Sequence, residues 1–257
     1  MSGDLWRIRL QPKWVALALV TVPVPCWSAP QQSYRIDRYD DLIQVQLDGS
    51  AIETRTVDAT FLREESHYYF WFAQNIASGG YRFVYGYEVI SSEVDFGRGF
   101  VAVKATVRPD PGYFVYDLSG GRAFPRHARI RFKVRALGRT FTHGAGSGFL
   151  DSALAYWGND GALASVTVEV PLSAADGARF VFVTGPRNGM DATMVCRTVP
   201  VTSVPGFFFA RFLAPNRASY QLKRRLGPGE AITAAVYMPK KTIPSTMRYE
   251  RVPSPKR

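Results

Sequence analysis

Within ten residues, Tyr34-Arg35-Ile36-Asp37-Arg38-Tyr39-Asp40-Asp41-Leu42-Ile43, the sequence gathers two guanidiniums and three carboxylates. At a period of two, Arg35 and Asp37 fall on one side of a strand and Tyr34 and Ile36 on the other, which suits a half-buried strand with a polar working face. A solvated edge strand is the plainer reading of the same run. Other chemistry-bearing groups are more dispersed. Glu93 and Asp95 share a strand face as a carboxylate pair, and a solvated face accounts for them as they stand. His67, His127 and His143 lack metal-ligand spacing and read as surface or loop residues. The loop His143-Gly144-Ala145-Gly146-Ser147-Gly148 has neither P-loop nor dinucleotide-fingerprint spacing, and no Gly-x-Ser-x-Gly elbow accompanies it, so it reads as a flexible turn.

These groups need a frame to hold them. Residues 1–28 read as a Sec-type signal peptide, with Arg7, Arg9 and Lys13 ahead of the apolar run Trp14 to Val24 and small residues Cys26 and Ser28 at the cleavage site. The apolar run is too short to span a bilayer, so the expectation is a secreted or periplasmic protein with no stable transmembrane segment in its mature form. Cleavage after Ser28 leaves 229 residues and Cys196 as the one remaining cysteine, so stability is expected from packing and not from an internal disulfide. The formal charge is +11, and +9 without the leader, which suits an anionic surface or a phosphate-bearing ligand. No basic run interleaved with aromatics reads as a nucleic-acid motif, and nucleic acid is not an expected partner.

Along the chain the period of two recurs. Tyr81 to Ile90, Phe100 to Val107 and Ile130 to Val134 alternate as strands, with turns at Leu47-Asp48-Gly49-Ser50, Arg108 to Gly112 and Ser119-Gly120-Gly121. Tyr113 to Leu118 lies between two of these turns. Beyond residue 160, strand-like runs at Ala164 to Val170, Arg179 to Thr184, Ala192 to Val199, Phe207 to Leu213 and Ala231 to Met238 give an all-β second half. One segment departs from this. Leu62, Tyr69, Phe72, Ala73 and Ile76 fall at helical spacing, with Thr60 as cap, Glu64 and Glu65 at the positive end and Gly79-Gly80 as stop, and they predict one main helix. The unbroken aromatic run Tyr68 to Phe72 leaves a buried strand as the alternative.

Four landmarks, in order over roughly residues 34–135, resemble the A subunits of cholera- and pertussis-type ADP-ribosylating toxins. They are Tyr34-Arg35-Ile36-Asp37 just past the leader, the predicted helix after Val57-Asp58-Ala59-Thr60 leading into the strand that ends Tyr85-Gly86-Tyr87-Glu88-Val89, Asp117-Leu118-Ser119, and Pro125 to Ile130 leading into Val134. The resemblance implies an α+β, β-rich fold: an ADP-ribosyltransferase-like split β-sheet core with one main helix over 29–150, followed by a β-rich C-terminal region with a basic tail over 151–257. It implies NAD as substrate and transfer of ADP-ribose to a host protein or cell-surface target, in the company of accessory or binding subunits. In that reading Arg35 holds the NAD phosphates with its planar fork, Asp117 supplies the carboxylate that stabilises an oxocarbenium-like state, and Thr60 positions one of them by a hydrogen bond. The motifs are degenerate. Asp117 stands where the family has glutamate and Val115 where it has the first member of a Glu/Gln-x-Glu pair, and a misplacement of about 1 Å costs on the order of 10²-fold in rate, so slow turnover or none is expected.

The second expectation is an all-β sandwich with no enzymatic activity: an exported adhesin, a pilus-associated subunit or a glycan-binding module. Short strands, abundant tyrosine and phenylalanine and few histidines favour it.

Overall fold

The computed structural model describes residues 33–78, 81–110, 112–119, 121–155, 162–185, 191–196, 208–226 and 230–251. The leader, Gly79-Gly80 and the end of the basic tail lie outside them. The described chain forms β1 (Tyr34–Val45), β2 (Ala51–Phe61), β3 (His67–Ala73), β4 (Asn75–Ser78), β5 (Tyr81–Val84), β6 (Gly86–Asp95), β7 (Phe100–Ala102), β8 (Lys104–Asp110), β9 (Tyr113–Ser119) and β10 (His127–Leu137). It continues with β11 (Thr140–His143), β12 (Gly146–Ala155), β13 (Leu163–Glu169), a single 3-10 turn at Leu172–Ala174, β14 (Arg179–Gly185), β15 (Asp191–Cys196), β16 (Phe208–Ala214), β17 (Arg217–Leu222), β18 (Ala231–Met238) and β19 (Arg248–Arg251).

The protein is β-rich, and the all-β alternative fits it. The main helix expected over 60–79 is corrected: Thr60 lies inside β2, Tyr68 to Phe72 inside β3 and Ile76 in β4. The aromatic run satisfied both periods, and packing decided between them. At a period of two, Tyr68, Phe70 and Phe72 all bury on one side, where Phe70 and Phe72 meet the Phe132 ring at 5.0 and 5.9 Å. Two expected strands are each interrupted once, at Tyr85 between β5 and β6 and at Val103 between β7 and β8. No helix among the described residues is long and apolar enough to cross a membrane.

An eight-stranded sheet in the order β16-β17-β13-β1-β2-β10-β6-β7 is the base of the fold. Strands from either side of residue 150 share it, because β1 pairs in parallel with β13 and antiparallel with β2. The charge-rich first strand is therefore central. One side of this sheet is covered twice. Under β1, β13 and β17, the five-stranded sheet β11-β12-β18-β14-β15 contributes Phe149, Phe180, Phe182, Ile232 and Val236 to one core. Under β2, β10 and β6, the three-stranded sheet β3-β9-β8 contributes Tyr68, Phe70, Phe72, Tyr116 and Leu118 to a second. A further small sheet, β19-β5-β4, completes the fold.

Charges sit inside this two-layer packing. Asp41, Glu53 and Arg55 are 2%, 0% and 5% exposed, with Arg55 Nε 3.4 Å from Asp41, its terminal nitrogen 3.2 Å from Glu53, and its guanidinium 3.9 Å above the Phe72 ring. The Tyr39 phenol joins them through Arg55. Burial raises that phenol to about 12, helped by the Asp41 and Glu53 charges and opposed by Arg55.

A turn closes at Leu47 to Ser50 as the sequence marks it, whereas Arg108 to Asp110, expected as part of a turn, belong to β8. Gly49, at φ 82°, ends the β1–β2 hairpin; a Cβ there would stand 2.5 Å from the Pro244 carbonyl oxygen. The glycine-rich loop is the β11–β12 hairpin, and Gly146 lets that strand pass close to Met238 on β18.

Candidate functional site

Three neighbouring strands bring Arg35 and Thr60 together. Arg35 on β1 is in register with Thr60 on β2, and Thr60 with His127 on β10. A register shift between Ile36 and Arg38 adds Asp37 to the group. Arg35 Nε donates to Asp37 Oδ1 at 2.8 Å, the Thr60 hydroxyl contacts Asp37 Oδ2, and His127 Nδ1 lies 3.0 Å from Thr60 Oγ1. A carboxylate only accepts, so Thr60 donates to Asp37 and His127 donates through Nδ1–H to Thr60. Burial acts to raise the Asp37 carboxyl, but the Thr60 and Arg35 hydrogen bonds and the Arg35 and Arg225 charges outweigh it and hold the group below the ordinary aspartate value. The result is a self-contained relay in which both Asp37 oxygens are engaged.

Asp117 is elsewhere. It lies on β9 in the β3-β9-β8 sheet, where His67 Nδ1 is 2.8 Å from its Oδ1. The carboxylate proposed for catalysis thus belongs to a different sheet from the proposed phosphate anchor and its threonine partner.

What surrounds Asp117 is more informative. The sides of β3 and β9 that pack inward are Tyr68, Phe70 and Phe72, and Tyr116 and Leu118. Pairing then fixes the outer rows: His67 opposite Ser119, Tyr69 opposite Asp117, Trp71 opposite Val115 and Ala73 opposite Tyr113. On β8 the same rows continue with Lys104, Thr106, Arg108 and Asp110. Three aromatic rings and a histidine therefore stand on the outer side of this small sheet, around a fully buried Val115. Trp71 is 43% exposed, and its ring meets Tyr113 edge-on at 6.0 Å. The His67 and Tyr69 rings are nearly parallel, at 6.3 Å and 12°, and the Arg108 guanidinium lies 5.9 Å from the Tyr69 ring. Burial raises the Tyr69 phenol above its ordinary value, aided by the Asp117 charge and opposed by Arg108.

Such a face joins apolar surface to fixed polar groups. A tryptophan left this exposed beside two tyrosines keeps apolar area in water that a fold gains by burying. Asp117 offers acceptors, and His67 and Arg108 offer donors, at the rim of the rings. Among the described residues no group of three or more His, Cys, Asp or Glu is placed to hold a metal ion.

Of these residues, sequence reasoning singled out Asp117 for another role, placed His67 at the surface, and missed Trp71, Tyr113 and Arg108 as site residues. The signal was there in two period-2 runs, His67 to Ala73 and Tyr113 to Ser119, whose alternate positions are polar or aromatic except at Ala73 and Val115. Only their pairing shows that the second set of aromatics shares one face.

No family model matches the chain, and no curated protein matches it. Among solved structures, it is similar to an M1 zinc metallopeptidase from Deinococcus radiodurans, at 12% identity and a TM-score of 0.43, over 79% of this chain and 42% of that one. It is also similar to native LTA4 hydrolase from yeast, at 11% identity and a TM-score of 0.48, over 82% of this chain and 32% of that one. The chain thus spans less than half the length of either protein.

Proposed function

We propose that the protein is an exported, non-enzymatic recognition module that binds glycans on the outer face of the β3-β9-β8 sheet. The observation that carries this reading is the row of Tyr69, Trp71 and Tyr113 on that face, with Asp117, His67 and Arg108 at its margin. A pyranose ring has one face of C–H groups and an edge of hydroxyls. The first stacks on an aromatic face, and the second exchanges hydrogen bonds with a carboxylate, an imidazole or a guanidinium. Tyr69 and Trp71, two residues apart on one side of a strand, are roughly 7 Å apart along it, so they suit neighbouring features of an extended sugar chain. The leader-like residues 1–28 support export, and a host or cell-surface glycan is the fitting partner.

The test is a glycan array followed by titration calorimetry on the purified chain and on Trp71→Ala. Loss of a stacked ring is worth about 1–3 kcal/mol, so affinity should fall roughly 5- to 150-fold while the melting temperature stays near that of the parent. Absence of any glycan ligand, or binding untouched by Trp71→Ala, sinks the proposal.

A second reading, transfer of ADP-ribose from NAD, draws support from the pairing of Arg35 with Thr60. Its measurement is nicotinamide release, with Arg35→Ala and Asp117→Ala as folded controls. No turnover in the parent protein ends it.

A further inference from the structure

On the side of the eight-stranded sheet away from both cores, the described residues form a trough of about 500 Å³. It lies on the opposite side of the base sheet from the aromatic platform. Strand alternation lines it with hydroxyls: Thr54 and Thr56 come from β2, and Ser165 and Thr167 from β13. Its carboxylates are already engaged. Asp40 takes Arg38 at 2.6 Å, Glu93 takes Arg131 at 3.3 Å, and Asp41 takes Arg55 from inside the sheet. Two cations differ from these. Lys133 and Arg217 line the trough, and neither has an ion-pair partner among the described residues. The Arg217 Nε–H is moreover buried without an acceptor, and a buried donor left unmatched in a polar concavity calls for a group that fills it.

Arg217 on β17 and Lys133 on β10 are four strand positions apart, a span of roughly 19 Å at the usual strand spacing. A single small anion cannot reach both. Between them, Ser165 and Thr167 of β13 and Thr54 and Thr56 of β2 present hydroxyls on either side of Asp40 and Leu42 of β1, Asp40 being held by Arg38, and no aromatic ring lines the trough on which a nucleobase could stack. We propose that the trough binds an extended polyhydroxylated chain bearing oxyanions, an acidic oligosaccharide, with its anionic groups at Arg217 and Lys133 and its hydroxyls on the serine and threonine rows. The oxyanion can be a carboxylate or a sulfate, since both accept from a guanidinium fork and from an ammonium.

The test titrates the purified full chain by calorimetry with tetragalacturonate, a sulfated heparin tetrasaccharide, maltotetraose and sodium sulfate. One or both acidic tetrasaccharides should bind at least tenfold more tightly than maltotetraose or free sulfate, and comparison of the two identifies the oxyanion. Lys133→Gln together with Arg217→Gln should lower that affinity at least tenfold and flatten its salt dependence. Lys133→Gln alone, at a half-buried position on β10, should lower it severalfold, which keeps the test valid if Arg217→Gln impairs folding. Trp71→Ala should leave acidic binding unchanged, so failure at the platform and failure here are read separately. The proposal is overturned if the acidic chains bind no better than maltotetraose, if the lysine and arginine variants bind them as the parent does, or if Trp71→Ala abolishes their binding.

Discussion

Replacing Arg55 with methionine should destabilise the protein severely. Arg55 reaches Asp41 at 3.4 Å and Glu53 at 3.2 Å, and both carboxylates are essentially inaccessible to water. Removing one partner of a buried ion pair costs about 3–5 kcal/mol, because the remaining charge stays buried without its counter-ion. The guanidinium also stacks on Phe72 at 3.9 Å. A desolvated contact of that kind is worth about 2 kcal/mol, and a methionine sulfur against the ring returns about 0.3–1.5 kcal/mol of it. The expected loss is therefore roughly 4–6 kcal/mol, a large part of the 5–15 kcal/mol that ordinary domains possess. Urea unfolding followed by circular dichroism gives the free energy directly, and a thermal scan should show a fall of about 8–24 °C for a chain of this size. A companion variant, Asp41→Asn with Glu53→Gln and Arg55→Met, removes both stranded charges and should recover at least half of the loss. A single-variant cost below about 1 kcal/mol, or a triple variant no more stable than the single one, would refute the view that the buried charges depend on one another.

Two further predictions concern the frame. Tyr39 has its phenol raised from 10.0 to about 12. Its contribution to stability is complete below pH 10 and is lost as the pH climbs towards about 12, because the unfolded phenol ionises first; urea midpoints along the alkaline limb should fall more steeply in the parent than in Tyr39→Phe, and equal slopes would contradict the assignment. Gly49→Ala places a Cβ 2.5 Å from the Pro244 carbonyl oxygen at a φ of 82°, so it should cost more than the roughly 1 kcal/mol typical of left-handed strain alone, measured as a lower urea midpoint with an unchanged slope.

Most of the strands were legible because one side of each is buried and the other is not. In His127–Leu137 the alternation of apolar and charged residues is complete, and it forms as one long strand; in Tyr34–Val45 the alternation is interrupted where a register shift resets it between Ile36 and Arg38, and the strand still continues to Val45. The exception is instructive. In His67-Tyr68-Tyr69-Phe70-Trp71-Phe72-Ala73 every position but the ends is aromatic, so the apolar set fits a helical period and a strand period equally, and tertiary contact with Phe132 settles the matter. The strand pairing of Arg35 with Thr60 was not legible, because Thr60 read as a helix cap, and it arises from β2 running on past Thr60 as the antiparallel neighbour of β1. The place of Asp117 did not follow, because it depends on which sheet β9 joins, and no local signal states a strand's partner.

The same ambiguity explains why the platform exists where it does. A strand needs apolar residues on its inner face only, and Tyr68, Phe70 and Phe72 already meet that need for β3. Tyr69 and Trp71 lie outside that core, on a side where β2 carries Thr54, Thr56 and Asp58. On β2 the outer residues are polar and the strand is just as well buried within. On the outer face of β3 and β9, Val115 is fully buried between Trp71 and Arg108, yet Trp71 itself stays 43% exposed, and a ligand with both an apolar face and hydroxyls accounts for that remaining exposed surface.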